Sequence, residues 1–271
     1  MALRFDEFLK EREYLLGVSP ATLTYYRSAF TTWTKFATDD SVLAWVQGMK
    51  AAGLSNASVN THICAMRAYF KWAEPERPRI AYLKEEQKIL ATFSADSVRA
   101  VINWKAVKGH EPRLKALALT ALDTGMRIEE LLRLHRCDLN FDALVIRVKG
   151  KGNRERLVPM SIELRKVLYR HLRQHKFERV FCTEHGVKLC QRNVLRDFKA
   201  ACRKLNITGV RCSFHTLRHS FAVNYLRAGG NLYYLQRILG HSSITTTERY
   251  LKSLGVEDLQ RVHDGLSLLS R

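Results

Sequence analysis

SFHTLRHSFAVNYLRAGGNLYYLQRILGHSSITTTERYLKS, residues 213–253, decides how this chain is read. His215, Arg218 and His219 open an amphipathic helix, His241 follows a Leu-Gly stop, and Tyr250 stands nine residues beyond it. Two histidines, an arginine and a tyrosine at this spacing can surround a phosphate diester. The arginine can hold non-bridging oxygens bidentately, the histidines can donate hydrogen bonds or move protons, and the phenol can attack phosphorus. That chemistry calls for a second arginine and an acid for the leaving oxygen. TGMRIEELLRL (124–134) supplies Arg127, and the glycine-flanked KGKGNRER (149–156) supplies Lys151.

Composition points the same way. The 271 residues are 46% hydrophobic, enough for one or two domains with real cores, and the net charge of +19 calls for a polyanionic partner such as nucleic acid. Residues 1–93 carry 12 Lys and Arg against 10 Asp and Glu, whereas residues 94–271 carry 33 against 16, so phosphate-binding capacity gathers beside the candidate chemistry. Cys64, Cys137, Cys182, Cys190, Cys202 and Cys212 form neither a CxxC pair nor a tight Cys/His quartet. They are expected as buried thiols of a cytoplasmic protein, with no zinc site and no disulfide framework. No apolar run is long enough to span a bilayer, and the N-terminus lacks the apolar stretch of a signal peptide.

The expected fold is mainly α with a small antiparallel β element. Residues 1–73 read as four short helices. Phe5, Phe8, Leu9 and Leu15 line the first; Ser19-Pro20 starts the second; Asp39-Asp40 caps the third; Ser55 caps the fourth. Residues 74–93 hold two of the five prolines and read as a linker. A second domain, 94–271, starts at Ser94 with a capped helix followed by the apolar LKALALTAL. Arg127 then opens a helix, where backbone N–H groups and the dipole favour a bound phosphate, and Glu130 one turn on reads either as orienting Arg127 or a histidine from behind or as a surface helix glutamate. Leu144, Ile146 and Val148 alternate into a basic turn and return through Leu157, a strand pair with a basic tip. Lys149, Arg154 and Arg156 are assigned to phosphate binding. A further short strand is expected at Arg179 to Cys182, Ser243 caps a short helix bearing Tyr250, and Val256, Leu259, Val262, Leu266 and Leu269 give a tail helix.

TGMR, GKG, HxLRH and LGH with a tyrosine nine residues on, in that order, resemble the signature of the tyrosine recombinases, the phage integrase family of site-specific DNA recombinases. The resemblance implies that 1–73 is a helical core-binding domain and 94–271 a catalytic domain. It implies that Tyr250 is the nucleophile forming a 3′-phosphotyrosine, Lys151 the general acid, Arg127 and Arg218 the phosphate clamp, and His215 and His241 assistants in proton transfer and positioning, with Glu130 in support. A cationic pocket is expected to favour the phenolate. No cofactor and no metal are implied. The implied partner is double-stranded DNA with a specific site, bound by a monomer that assembles into a homotetramer, with accessory bending or directionality proteins in some systems. The chain begins almost at the core-binding helices, so no additional arm-binding domain is expected.

Each residue also has an ordinary alternative: a solvated hairpin lysine, a satisfied structural histidine, a core tyrosine. A type IB topoisomerase-like enzyme would share the tyrosine chemistry without a tetramer. A helix-turn-helix regulator at Asn231 to Leu251, or a DNA-bridging protein, leaves TGMR, GKG and HxLRH unexplained.

Overall fold

The computed structural model describes residues 3–37, 41–85, 91–107, 109–150 and 155–266. The chain divides into two compact units, Met1–Lys88 and Ile89–Arg271. The fold is mainly helical with one small antiparallel sheet, as the sequence implies.

In the first unit, α1 (Phe5–Tyr14), α2 (Pro20–Phe36), α3 (Val42–Ala51) and α4 (Asn56–Ala73) close around an aromatic core. Phe8, Trp45, Met49, Ile63 and Met66 are fully buried, and each large apolar side chain so buried contributes about 1.5–3 kcal/mol. Ser19, Ser41 and Ser55 accept backbone N–H groups at the starts of α2, α3 and α4. The cap of α3 is thus Ser41; Asp39 and Asp40 lie outside the described residues. Leu15, expected on the inner face, is instead the exposed C-cap residue just past the end of α1.

The stretch expected as a linker is tied down where it is described. Asn60 on α4 donates to the Leu83 carbonyl and accepts from the Leu83 N–H, both at 2.8 Å, while Ile80 and Leu83 pack on the first unit's core. In the second unit, Phe93 is buried and its N–H donates to Ser220 Oγ at 2.8 Å.

The second unit is built on α6 (Glu111–Thr124), whose Leu114, Leu117, Ala118 and Ala121 are buried, flanked by α5 (Ala95–Asn103), α8 (Ile162–Leu172), α9 (Gln191–Lys204) and α10 (Phe214–Arg227). The short α7 (Ile128–Leu131) follows α6. The sheet runs β1 (Leu139–Asn140), β2 (Val145–Lys149), β3 (Glu155–Pro159), with Val145 opposite Pro159 and Lys149 opposite Glu155. Leu144, expected within the strand, sits before it at a positive φ of 53° that turns the chain into β2. Arg179 and Cys182 make isolated bridges to His135 and Lys188 instead of a strand. Lys151 and Arg154 lie outside the described residues.

The chain ends with α11 (Leu232–Leu239), α12 (Ile244–Glu248) and α13 (Val256–Leu266). Asn231 caps α11 by accepting from the Tyr233 and Tyr234 N–H groups. Tyr250 is not on the helix that Ser243 opens; it stands two residues past the end of α12, at the start of a 3₁₀ turn. Leu269 lies outside the described residues. The cysteines are free, and the expected uniform burial does not hold: Cys182 and Cys202 are buried, but Cys64, Cys137 and Cys190 are exposed. Cys64 follows the buried Ile63 on α4 and so falls on the helix's solvent side. Among the described residues no helix is long and apolar enough to cross a membrane.

Candidate active site

Two glycine helix stops build the site. At Gly240 the backbone is left-handed (φ 67°), the Gly240 N–H returns to the Arg237 carbonyl, and the His241 N–H returns to that of Gln236. This is a Schellman ending, and it leaves the Ile238 and Leu239 carbonyls without helical partners at the negative end of the α11 dipole. Three arginines take them. Arg156 Nε donates to Ile238 at 2.8 Å, while Arg127 Nη1 and Arg218 Nη2 both donate to Leu239, at 3.3 and 2.9 Å. At the other stop, Gly125 (φ 63°) ends α6 and its carbonyl accepts from Arg218 Nη1 at 2.8 Å. A Cβ at Gly125 would lie 2.4 Å from the Phe221 ring, so both backbone and space demand glycine.

Glu130 binds the arginines together. Its carboxylate accepts from the Arg127 backbone N–H at 2.8 Å and from Arg127 Nη1 at 3.1 Å, and takes both terminal nitrogens of Arg156 at 2.9 Å. Burial alone would raise its pKa, but the Arg156 bonds and charge, with Arg127 behind them, hold it below the ordinary value. Arg156, assigned from sequence to phosphate, thus spends its guanidinium on Glu130, with its side chain only 13% exposed. Lys149 is exposed on β2 and pairs with Glu155 across the strands at 3.7 Å. Arg127 is the N-cap of α7, in extended backbone, and its side chain is 45% exposed.

Arg218 is 2% exposed. Burial, then Arg127, pull its pKa down to about 10, which leaves it charged at neutral pH. It also meets His241 Nε2 at 2.8 Å, and His241 Nδ1 lies 2.9 Å from Thr247 Oγ1. A guanidinium can only donate, so Nε2 is the acceptor and Nδ1 carries the hydrogen given to Thr247. Burial and the neighbouring Arg218 and Arg127 lower the His241 pKa to about 4, so the ring is neutral.

Tyr250 packs with Ala222, Val223, Leu226, Leu235 and Leu239 and is 3% exposed. Its ring lies nearly parallel to that of His241, centroids 6.2 Å apart, the charge of Arg218 acts on its oxygen, and His219 Nδ1 is 3.3 Å from the hydroxyl. Burial raises the phenol pKa by more than Arg218, Arg127 and Arg249 lower it. The expectation that the pocket favours phenolate is therefore corrected: desolvation outweighs the surrounding cations and the phenol is protonated.

His215 opens α10 after the Ser213 cap, exposed, with its ring edge-on to His219 at 4.3 Å. Burial and four arginines (Arg218, Arg127, Arg211, Arg249) lower its pKa. The structure thus gathers Arg127, Glu130, Arg156, Arg218, His241 and Tyr250 around one helix end, with His215 beside them. Sequence reasoning missed His219 as a partner of Tyr250, Thr247 as the holder of His241, and the Leu239 carbonyl as the common acceptor. The helical position of His219, one residue after Arg218, was the available signal.

The profile described as "Phage integrase family" matches residues 85–255, and that described as "Phage integrase, N-terminal SAM-like domain" matches residues 4–77. Tyrosine recombinase XerA of Thermococcus kodakarensis is 28% identical, over 98% of this chain and 97% of that protein. Tyrosine recombinase XerD of Oceanobacillus iheyensis is 26% identical, over 86% of this chain and 88% of its own length. Among solved structures, the Tn1549 transposon integrase in complex with transposon right end DNA shares the fold with a TM-score of 0.80 at 20% identity, covering 97% of this chain and 98% of that one. XerA recombinase shares it at 0.58 and 24%, covering 96% and 98%.

Proposed function

This chain belongs to the phage integrase family, and from that premise we propose that Tyr250 is the residue through which it breaks and rejoins DNA. The chain is a site-specific recombinase of the tyrosine class, and DNA is its partner. The observation that carries the assignment of Tyr250 is its hydroxyl lying beside the sealed Arg218, while the open Arg127 converges with Arg218 on the Leu239 carbonyl.

Tyr250 attacks the scissile phosphorus and forms a 3′-phosphotyrosyl linkage, and the 5′ oxygen leaves with a proton from Lys151. Arg127 and Arg218 hold the non-bridging oxygens, His215 donates from the open side, and His241 fixes the plane of Arg218. Glu130 and Arg156 hold Arg127 at the helix end. Cations fixed where charge develops stabilise the pentavalent state without reorganisation. The phosphotyrosyl bond conserves the energy of the broken linkage, so rejoining to a partner strand needs no nucleoside triphosphate. Lys149 and Arg154 grip the flanking backbone.

Residues 1–73 serve as the core-binding domain and 94–271 as the catalytic domain, joined through 74–93. Val256 and Leu259, 81% and 58% exposed on α13, offer an apolar stripe with which the tail docks on another copy, linking four protomers on two duplexes. The test uses duplexes that the wild-type protein selects from a random-sequence pool, nicked near each candidate cleavage position. Wild type yields a denaturant-resistant protein–DNA adduct, while Tyr250→Phe binds the same duplex and yields none. Equal adduct from both proteins contradicts the assignment.

A further inference from the structure

We propose that His219 is the general base that takes the proton of Tyr250, an assignment that rests on Tyr250 being the nucleophile. The phenol of Tyr250 pairs with the imidazole of His219. Arg218, whose charge acts on the phenol, has only donors and cannot take its hydrogen. His219 Nδ1, at 3.3 Å, is the acceptor in reach.

The other histidines are occupied or misplaced. His241 has both ring nitrogens engaged, Nε2 by Arg218 at 2.8 Å and Nδ1 by Thr247 at 2.9 Å, and it presents its ring face to the tyrosine. His215 meets the ring of His219, not the phenol, and stands on the exposed side beside Arg127, Arg211 and Arg249, where a phosphate oxygen would lie.

The surroundings of His219 explain why the nucleophile rests inert. His215 and Arg218 face it from its own helix, Arg249 and Tyr250 from the segment after α12, and His241 from the turn after α11. Burial first, then His215, Arg218 and Arg249, bring its pKa from the ordinary 6.5 to about 4, so the free imidazole is a neutral acceptor but a weak base. A phosphodiester seated on Arg127 and Arg218 adds a negative charge beside this cationic cluster and raises the proton affinity of His219. The substrate itself thereby strengthens the base. As the Oη–P bond forms, the phenolic proton passes to His219 Nδ1 and gives imidazolium. The P–O5′ bond breaks, and the departing oxygen takes its proton from Lys151. In rejoining, the 5′ hydroxyl gives its proton to Lys151 as it attacks phosphorus, the Oη–P bond breaks, and His219 returns its proton to the tyrosine oxygen.

The test measures single-turnover adduct formation on the selected, nicked duplex in two forms, one with a normal scissile 5′ oxygen and one with a bridging 5′ sulfur. A thiolate leaves without needing a proton, so sulfur relieves loss of the acid but not of the base. His219→Phe is expected to slow both substrates by about 10²-fold or more, whereas Lys151→Ala slows only the oxygen form. The wild-type rate falls on acidification within the window from 6.5 to about 4 as His219 protonates, and His219→Asn, which keeps a hydrogen-bonding group near the Nδ1 position, loses that limb. A His219→Phe protein that binds the duplex and cleaves it within threefold of wild type overturns this assignment alone, and so does an unchanged acid limb in His219→Asn. Absence of adduct from the wild type overturns the parent assignment of Tyr250 as well.

Discussion

Arg127 and Arg218 donate to one and the same oxygen, the carbonyl of Leu239, at 3.3 and 2.9 Å. Two like charges converge there because the end of α11 offers a carbonyl and a negative dipole that no helical N–H satisfies. With Arg156 added and Glu130 subtracted, the cluster keeps an excess of positive charge facing the nucleophile. A phosphodiester is an anion suited to such a cluster.

Glu130 and Arg156 form the joint of this cluster, with side chains 7% and 13% exposed. Removing one member strips a buried charge of its main partner, with only Arg127 left to Glu130 or the Ile238 carbonyl left to Arg156, so Glu130→Gln or Arg156→Ala should lower unfolding free energy by up to about 3–5 kcal/mol. Urea denaturation measures it. The double variant should cost clearly less than the sum of the singles, and a loss under about 1 kcal/mol in either single would show that the pair is not structural.

Tyr250 lies beside the Arg218 of its own chain, so cleavage should occur in cis. A mixture of Arg218→Ala and Tyr250→Phe proteins should yield no adduct on the selected duplex. Recovery of adduct on mixing would mean that the tyrosine is donated to a neighbour.

The free protein should also conceal its nucleophile from reagents. Tetranitromethane, read by peptide mass spectrometry, should nitrate Tyr14, Tyr233 and Tyr234, which are 77%, 67% and 62% exposed, well before Tyr250, which is 3% exposed and whose phenol burial raises in pKa. Equal rates would mean that the tyrosine spends much of its time outside the pocket.

Stability should fall with acid before the carboxylates titrate. His171, 5% exposed with Nε2 donating to the Val180 carbonyl at 2.9 Å, is brought by burial to about 4 from 6.5. Its folded pKa is the lower one, so its contribution is complete above 6.5 and is lost as pH falls toward about 4, at up to about 1.4 kcal/mol per pH unit. His219 and His241, also near 4, add in the same direction. Urea midpoints recorded across this window should drop, and His171→Phe should flatten the slope; a flat wild-type profile would contradict the burial of a neutral imidazole.

Much of this was legible in the chain, and the limits have physical causes. TG at 124–125 and LG at 239–240 read correctly as helix stops, because a left-handed terminal residue favours glycine whatever the tertiary structure. The order of the motifs pointed to the family before any geometry. Arg156 read as one more phosphate ligand because its partner Glu130 lies 26 residues away, and only the packing of β3 against α11 joins them. The bond from His219 to Tyr250 spans 31 residues and follows no helical period. Burial of the phenol, which reverses the effect of the surrounding cations, depends on Ala222, Val223 and Leu235 closing over it and leaves no mark in composition.

The most direct test of the central claim is to digest the trapped adduct with protease and identify the residue and the DNA end that are joined. The account predicts a single peptide bearing Tyr250, linked to a 3′ phosphate. DNA attached instead to the exposed Tyr233 or Tyr234, or joined through a 5′ phosphate, would contradict it.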